Sequence, residues 1–331
     1  MSGDDLSRRD RSEEIRGKFP RFIAQSYADA LARTEDYEAV TAYLRMVEII
    51  LRYLTVCAWA RYIALDPDGL NGEAAFVENL ARPAMGKWLE ALRKVDRALE
   101  EHGNGNSALG CSLTKHRDNL PGFLRPRHHV FEKVNAQKAS IHDVFDLLIQ
   151  LRNDESHPRD PQGHRRQPRR LRPVLEEAVE ELLLSIPTLL QWHPVYVASS
   201  ENLRSGYHQV TSFAHRGEGT PRNEDVRHPS TIRLTSDTLY LKGPDDKFVE
   251  LWPFAFADSK EISVFAGVDR GAATFHSTGK LDIDEGMWKE TIEALKQRAP
   301  ALFKMRGSLD ALARLEPFMK LAAIDAHHQR V

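Results

Sequence analysis

Between Asp36 and Leu65 the chain runs for thirty residues without a proline or a glycine. Val40, Leu44, Val47, Leu51, Leu54 and Ala58 recur along it at the spacing of one helical face, which predicts a single long and largely buried helix. Glu48 lies inside that helix, four residues after Leu44 and three before Leu51, so the helical period sets a carboxylate on or beside the apolar face. A buried carboxylate needs a partner. Arg45 and Arg52 stand within a turn of it and can supply one.

Composition narrows the class of protein. With 331 residues, 41% hydrophobic and 28% charged, the chain reads as a soluble globular protein of two or three domains. No apolar run approaches the roughly 20 residues of a membrane span. Residues 1–18 are too charged for a signal peptide and read as a disordered leader. Cys57 and Cys111 have no C-x-x-C spacing, which indicates neither a disulfide framework nor a zinc site and fits a reducing cytoplasm. A net charge of -2 confines any nucleic-acid binding to local basic patches.

Further helices follow. Glu73 to Leu80 is a short one, and Met85 to Glu101 is a strong one around Trp88, Leu89, Leu92 and Val95; the glycines and prolines of residues 102–127 predict a loop. Ser140 is a good N-cap with Asp143 three residues on, and Ile141, Val144, Phe145, Leu148 and Leu151 continue a helix that should stop near Pro158. Pro158 to Pro173 holds six arginines (159, 165, 166, 169, 170 and 172) against one acid, Asp160, and reads as a flexible basic loop before a last helix from Val174 to Gln191.

Beyond Trp192 the period shifts toward two. Thr231 to Leu234, Thr238 to Lys242, Phe248 to Trp252, Glu261 to Ala266 and Ala272 to Ser277 are the predicted strands, with a turn at Gly243 to Asp246. Helices at Glu285 to Arg298 and Ser308 to Ile324 close the chain. The fold class is therefore α+β: a disordered leader (1–18), an all-α domain (19–191) and a smaller β-rich α+β domain with terminal helices (192–331).

The candidate chemistry sits at the end of the Ile141 helix, where Arg152, Asn153 and His157 form R-N-x-x-x-H. An obligate cation near a proton shuttle suits cleavage of a phosphodiester. On an ideal helix Arg152 and His157 are roughly 140° apart, so a bend before Pro158 or a groove shared between helices or subunits has to unite them. The same residues also read as a helix end with a solvated surface, since cations near a C-terminus are favoured by the dipole. Arg159, Arg165, Arg166, Arg169 and Arg170 are candidates for RNA-phosphate contacts or a solvated linker, and the lack of interleaved aromatics argues against base stacking there. The remaining histidines form no metal-ligand set, and no Walker loop, kinase signature or G-x-S-x-G appears.

A long helix with an embedded acid, a G-K-W helix (Gly86, Lys87, Trp88) and a helix ending L-R-N-x-x-x-H (Leu151 to His157) resemble the HEPN superfamily, the higher eukaryotes and prokaryotes nucleotide-binding domains. The resemblance covers roughly residues 19–191, and Phe19 to Ala24 with Leu51 to Leu54 are similar to HEPN-like regions of bacterial conflict and defence proteins. It implies a HEPN-like helical bundle and metal-independent RNA cleavage by a homodimer with a composite cleft, without cofactors. The two subunits would supply one histidine as base and one as acid, giving a 2',3'-cyclic phosphate and a 5'-hydroxyl. Arg152 would hold phosphate oxygens, Asn153 would orient His157 or donate to phosphate, and Glu48 would position Arg152 through a charge-assisted hydrogen bond. The implied role is a toxin-like or antiviral defence effector in the cytoplasm, with an antitoxin or regulatory protein as a further partner. The same resemblance also allows a catalytically silent dimer acting as adaptor, inhibitory partner or nucleotide sensor.

Overall fold

The computed structural model describes residues 3–65, 84–102, 111, 113–115, 139–156, 168–203, 206–229, 231–269 and 272–278, with positions 290, 293, 294 and 297. Its helices are α1 (Gly3–Lys18), α2 (Arg21–Ala32), α3 (Asp36–Leu65), α4 (Met85–His102), α5 (Ile141–Ser156), α6 (Pro168–Leu184) and α7 (Pro187–Gln191). The strands are β1 (His193–Leu203), β2 (Tyr207–Ala214), β3 (Arg222–Pro229), β4 (Thr238–Lys242), β5 (Phe248–Glu250), β6 (Ala255–Ala257), β7 (Ile262–Asp269) and β8 (Ala272–Ser277). The chain is α+β. None of the described helices is long and apolar enough to cross a membrane.

The long helix has the predicted bounds, and its buried residues include Tyr43, Val47, Ile50, Leu54 and Trp59. The start of α5 follows the capping chemistry legible in its sequence. The Asp143 amide donates to Ser140 Oγ at 3.1 Å, and the Ser140 amide donates back to Asp143 Oδ2 at 2.8 Å. Two donors that the first helical turn leaves without intrahelical partners are thereby satisfied.

Residues 1–18 depart from the disordered leader expected of them, because Gly3–Lys18 is helical and its apolar end is seated. Ile15 and Phe19 are fully buried, and the segment after β2 closes the end of the helix. The amides of Gly217 and Glu218 donate to the carbonyls of Phe19 and Arg16, both at 2.8 Å, while Arg16 grips the Glu218 carboxylate with two nitrogens at 2.7 and 2.8 Å. Gly217 has a φ of +74°, and a Cβ there would lie 3.0 Å from the Gly17 carbonyl oxygen, so the close approach requires glycine. Charge content misled the sequence reading because these partners lie two hundred residues downstream.

Two further expectations are corrected. The basic segment is not irregular up to Pro173: α6 begins at Pro168, a residue whose fixed φ and missing N–H suit the first helical position. The last helix also divides, because Pro187 disfavours a helical Ile186 and starts α7. The helix expected over Glu73 to Leu80, most of the loop at 102–127, and Ser308 to Ile324 lie outside the described residues; within Glu285 to Arg298 only four positions are described.

Both sheets are antiparallel. The larger has the order β3-β2-β1-β4-β5, the smaller β6-β7-β8. Strands β4 and β8 have the predicted bounds, whereas β1, β2, β3 and β6 were not foreseen and Thr231 to Leu234 is no strand. The first three are rich in polar residues, and β1 is stabilised by pairing on both sides, with Val195 opposite Ala214 of β2 and Tyr240 of β4. The helices and parts of both sheets share the main apolar core, while Val197, Val210, Leu234 and Tyr240 form a second, smaller cluster on the larger sheet. Leu241, Phe254, Ile262, Val264 and Phe265 belong to the same buried cluster as Trp59, Trp88 and Leu148, so the change in secondary structure at residue 192 is not a break in packing.

Candidate active site

The site is built on one stripe of α3. Glu48 and Arg52 are four residues apart, one turn along the same helical face, and Glu48 Oε1 meets Arg52 Nη2 at 2.5 Å. The other carboxylate oxygen faces α5, where Arg152 Nη2 lies 3.9 Å away. Arg152 Nη1 also donates to the Asn153 side-chain oxygen at 3.4 Å. Of the three arginines that the sequence allowed as partners, Glu48 reaches Arg52 closely and Arg152 loosely, and makes no ion pair with Arg45.

Arg52 is the buried member, with 7% of its side chain exposed, whereas Arg152 is 37% exposed. The Arg52 guanidinium sits over the Trp88 ring, 5.4 Å from its centroid, and burial lowers its affinity for the proton while Glu48 opposes that shift. Its Nη1 donates to Nε2 of His276 on β8 at 2.6 Å. An arginine has only donors to offer, so Nε2 is the acceptor and the neutral ring carries its proton on Nδ1. Burial, and then the nearby Arg52 and Arg45 charges, push His276 down to about 4, so it is uncharged at neutral pH.

His157, Arg159, Arg165 and Arg166 lie outside the described residues. Arg169 and Arg170 are exposed on the first turn of α6. Arg172 has a structural post: it pairs with Asp36 at 3.2 Å and donates to the carbonyls of Arg33 and Thr34, fastening α6 to the α2–α3 connection. Among the described residues no group of three or more His, Cys, Asp or Glu side chains could hold a metal ion. His276 is not among the residues that the sequence marks out. Its only local signal is a T-F-H-S strand, and nothing in that strand says which helix it will face.

His215 shows the same physics away from the site. It is fully buried, its Nε2 donates to the Asp258 carbonyl at 2.9 Å, and its Nδ1 is buried without a hydrogen-bond partner. Burial pushes it down to about 4; the Asp258 carbonyl opposes the shift and Arg21 adds to it. The unfolded chain takes up this proton near the ordinary value of about 6.5, but the folded chain waits until about 4. The folded state therefore binds fewer protons in that window, and stability is lost as the pH falls through it. We expect His215 alone to account for up to about 3 kcal/mol of that loss. Urea-unfolding midpoints measured from neutral pH down to the folded pKa check this, and His215→Gln should make the profile shallower, with His193 and His276 keeping their share of the slope. A flat wild-type profile would contradict a neutral buried imidazole.

No protein-family model, curated protein or solved structure matches the chain.

Proposed function

We propose that this chain is a HEPN-type, metal-independent endoribonuclease, a toxin-like or defence effector acting in the cytoplasm as a homodimer. The observation that carries the reading is an imbalance of charge. One carboxylate, Glu48, faces two guanidiniums, and the nearer one, Arg52, takes it at 2.5 Å. Arg152 is left at 3.9 Å with its side chain 37% exposed. A cation held in place yet incompletely neutralised among the described residues is suited to receive a phosphate, because its planar fork can hold two phosphate oxygens as charge builds in the transition state.

In this reading Glu48 orients Arg152, Asn153 steadies the same helix end, and His157 moves the proton. The base takes the 2'-hydroxyl proton, the oxygen attacks phosphorus, and the acid delivers a proton to the leaving 5'-oxygen. A dimer supplies a second histidine, so acid and base need not be the same ring. The α2–α6 helices form the HEPN-like bundle, Arg159, Arg165, Arg166, Arg169 and Arg170 contact RNA phosphates, and the β-rich half regulates or recruits.

Incubation with total RNA in excess chelator, followed by analysis of the new ends, tests the proposal. The expected ends are 2',3'-cyclic phosphate and 5'-hydroxyl. Intact RNA, or 5'-phosphate ends, would overturn it.

A further inference from the structure

A groove of about 520 Å³ lies between α2, α3 and β8 and is not used by the chemistry above. Phe22, Tyr37 and Phe275 give it an aromatic lining, and Arg45 and His276 line it as well. Tyr37 is 69% exposed, an unusual position for a large aromatic side chain. Gln25, also in the lining, has a buried side-chain oxygen without a hydrogen-bond partner. The groove's charged residues are Arg33 and Glu38, which offset each other at 3.6 Å, and Asp29 and Arg45, both exposed; among the described residues Arg45 has no carboxylate at contact distance.

This groove adjoins the candidate active site through His276. Thr41, Arg45, Glu48 and Arg52 fall on one stripe of α3, with Arg45 and Arg52 about 10 Å apart along the axis. His276 belongs to both places, since it lines the groove and accepts the hydrogen bond from Arg52.

Exposed aromatic surface beside an exposed guanidinium is the chemistry that binds single strands, stacking bases while neutralising the backbone. A duplex would present phosphates to Arg45 but keep its base faces stacked out of reach of Tyr37. We propose that the groove seats a single-stranded stretch of RNA, with one base against Tyr37, a phosphate at Arg45, and the strand running on along α3 toward Arg152. The Gln25 oxygen accepts a hydrogen bond from the seated nucleotide. The proposal rests on the nuclease reading for its direction toward Arg152, but binding can be measured without cleavage.

The test uses the full chain and a fluorescein-labelled single-stranded RNA decamer in which every 2'-hydroxyl is methylated, so that no attacking oxygen exists. Anisotropy should show binding, weakened about fivefold or more by Tyr37→Ala. Arg45→Ala should weaken binding comparably and reduce the slope of log affinity against log salt by about one. Both side chains are exposed, so the variants should fold, which circular dichroism checks. Arg97→Ala removes a charge from an exposed pair on α4 and should leave binding unchanged. Unaltered affinity in both groove variants, or no binding by the wild type, would overturn the groove assignment. Uridine monophosphate binding as tightly as the decamer would overturn the strand in favour of a mononucleotide. If the groove variants lose binding but unmodified RNA is never cut, the seat stands and the nuclease reading falls.

Discussion

Arg152→Ala and His157→Ala are each expected to lower RNA cleavage by about 10²- to 10³-fold, with the unfolding midpoint nearly unchanged. The expected loss is large because each substitution removes a group that acts only as the phosphorus is attacked. In the proposed mechanism Arg152 would supply positive charge to the equatorial oxygens, and His157 the proton movement. The stability cost is small for Arg152 because its side chain is 37% exposed and its ion pair with Glu48 is long, at 3.9 Å. Glu48 keeps its closer partner Arg52 when Arg152 is gone, so no buried carboxylate is stranded. Single-turnover cleavage of one labelled RNA, measured beside thermal unfolding, separates the two effects. Cleavage that survives both substitutions would remove the site, and a loss that merely follows a lowered midpoint would reassign Arg152 to structure.

Phe265→Ala is expected to destabilise the protein by about 3–5 kcal/mol and to do so in one cooperative transition. Phe265 is fully buried on β7, the middle strand of the smaller sheet. Its ring lies 6.0 Å from Trp88 on α4, 6.3 Å from Phe254 and 5.7 Å from Phe275, so truncation opens a cavity where helix and sheet meet. The length of the chain and its change of texture near residue 192 point to two modules, but shared burial predicts that they melt together. Tryptophan fluorescence reports local packing in both halves, through Trp59 and Trp88 in the first and Trp192, Trp252 and Trp288 in the second, and far-ultraviolet dichroism reports the whole backbone. Coincident curves, shifted together by the substitution, are the expected result. Two separated transitions, with only the later residues affected, would show that the contact contributes little.

Several parts of the fold were legible because their cause is local. The period of α3, the bounds of β4 and β8, and the Ser140–Asp143 cap at the start of α5 all arise from residues within a few positions of one another. The order of α1 was not legible, since its Arg16 closes on Glu218, and neither were the polar strands β1 to β3, whose stability comes from their neighbours in the sheet.

The candidate site divides along the same line. An acid on the long helix and an Arg-Asn pair at the end of another were readable from helical period and residue chemistry alone, as was the need of a half-buried Glu48 for a cation. Which cation takes it closely, and which stays open to a ligand, depends on how α3, α5 and β8 pack. Arg52 reaches His276 across 224 positions of chain, and that contact joins the groove to the Glu48–Arg52 pair. Sequence by itself determined α3, α4 and α5 and the chemical types of the candidate residues, because an apolar helix repeats its own environment every few residues. Only the tertiary structure decided which charges meet, because burial and distance between remote segments are set by packing and have no local signature.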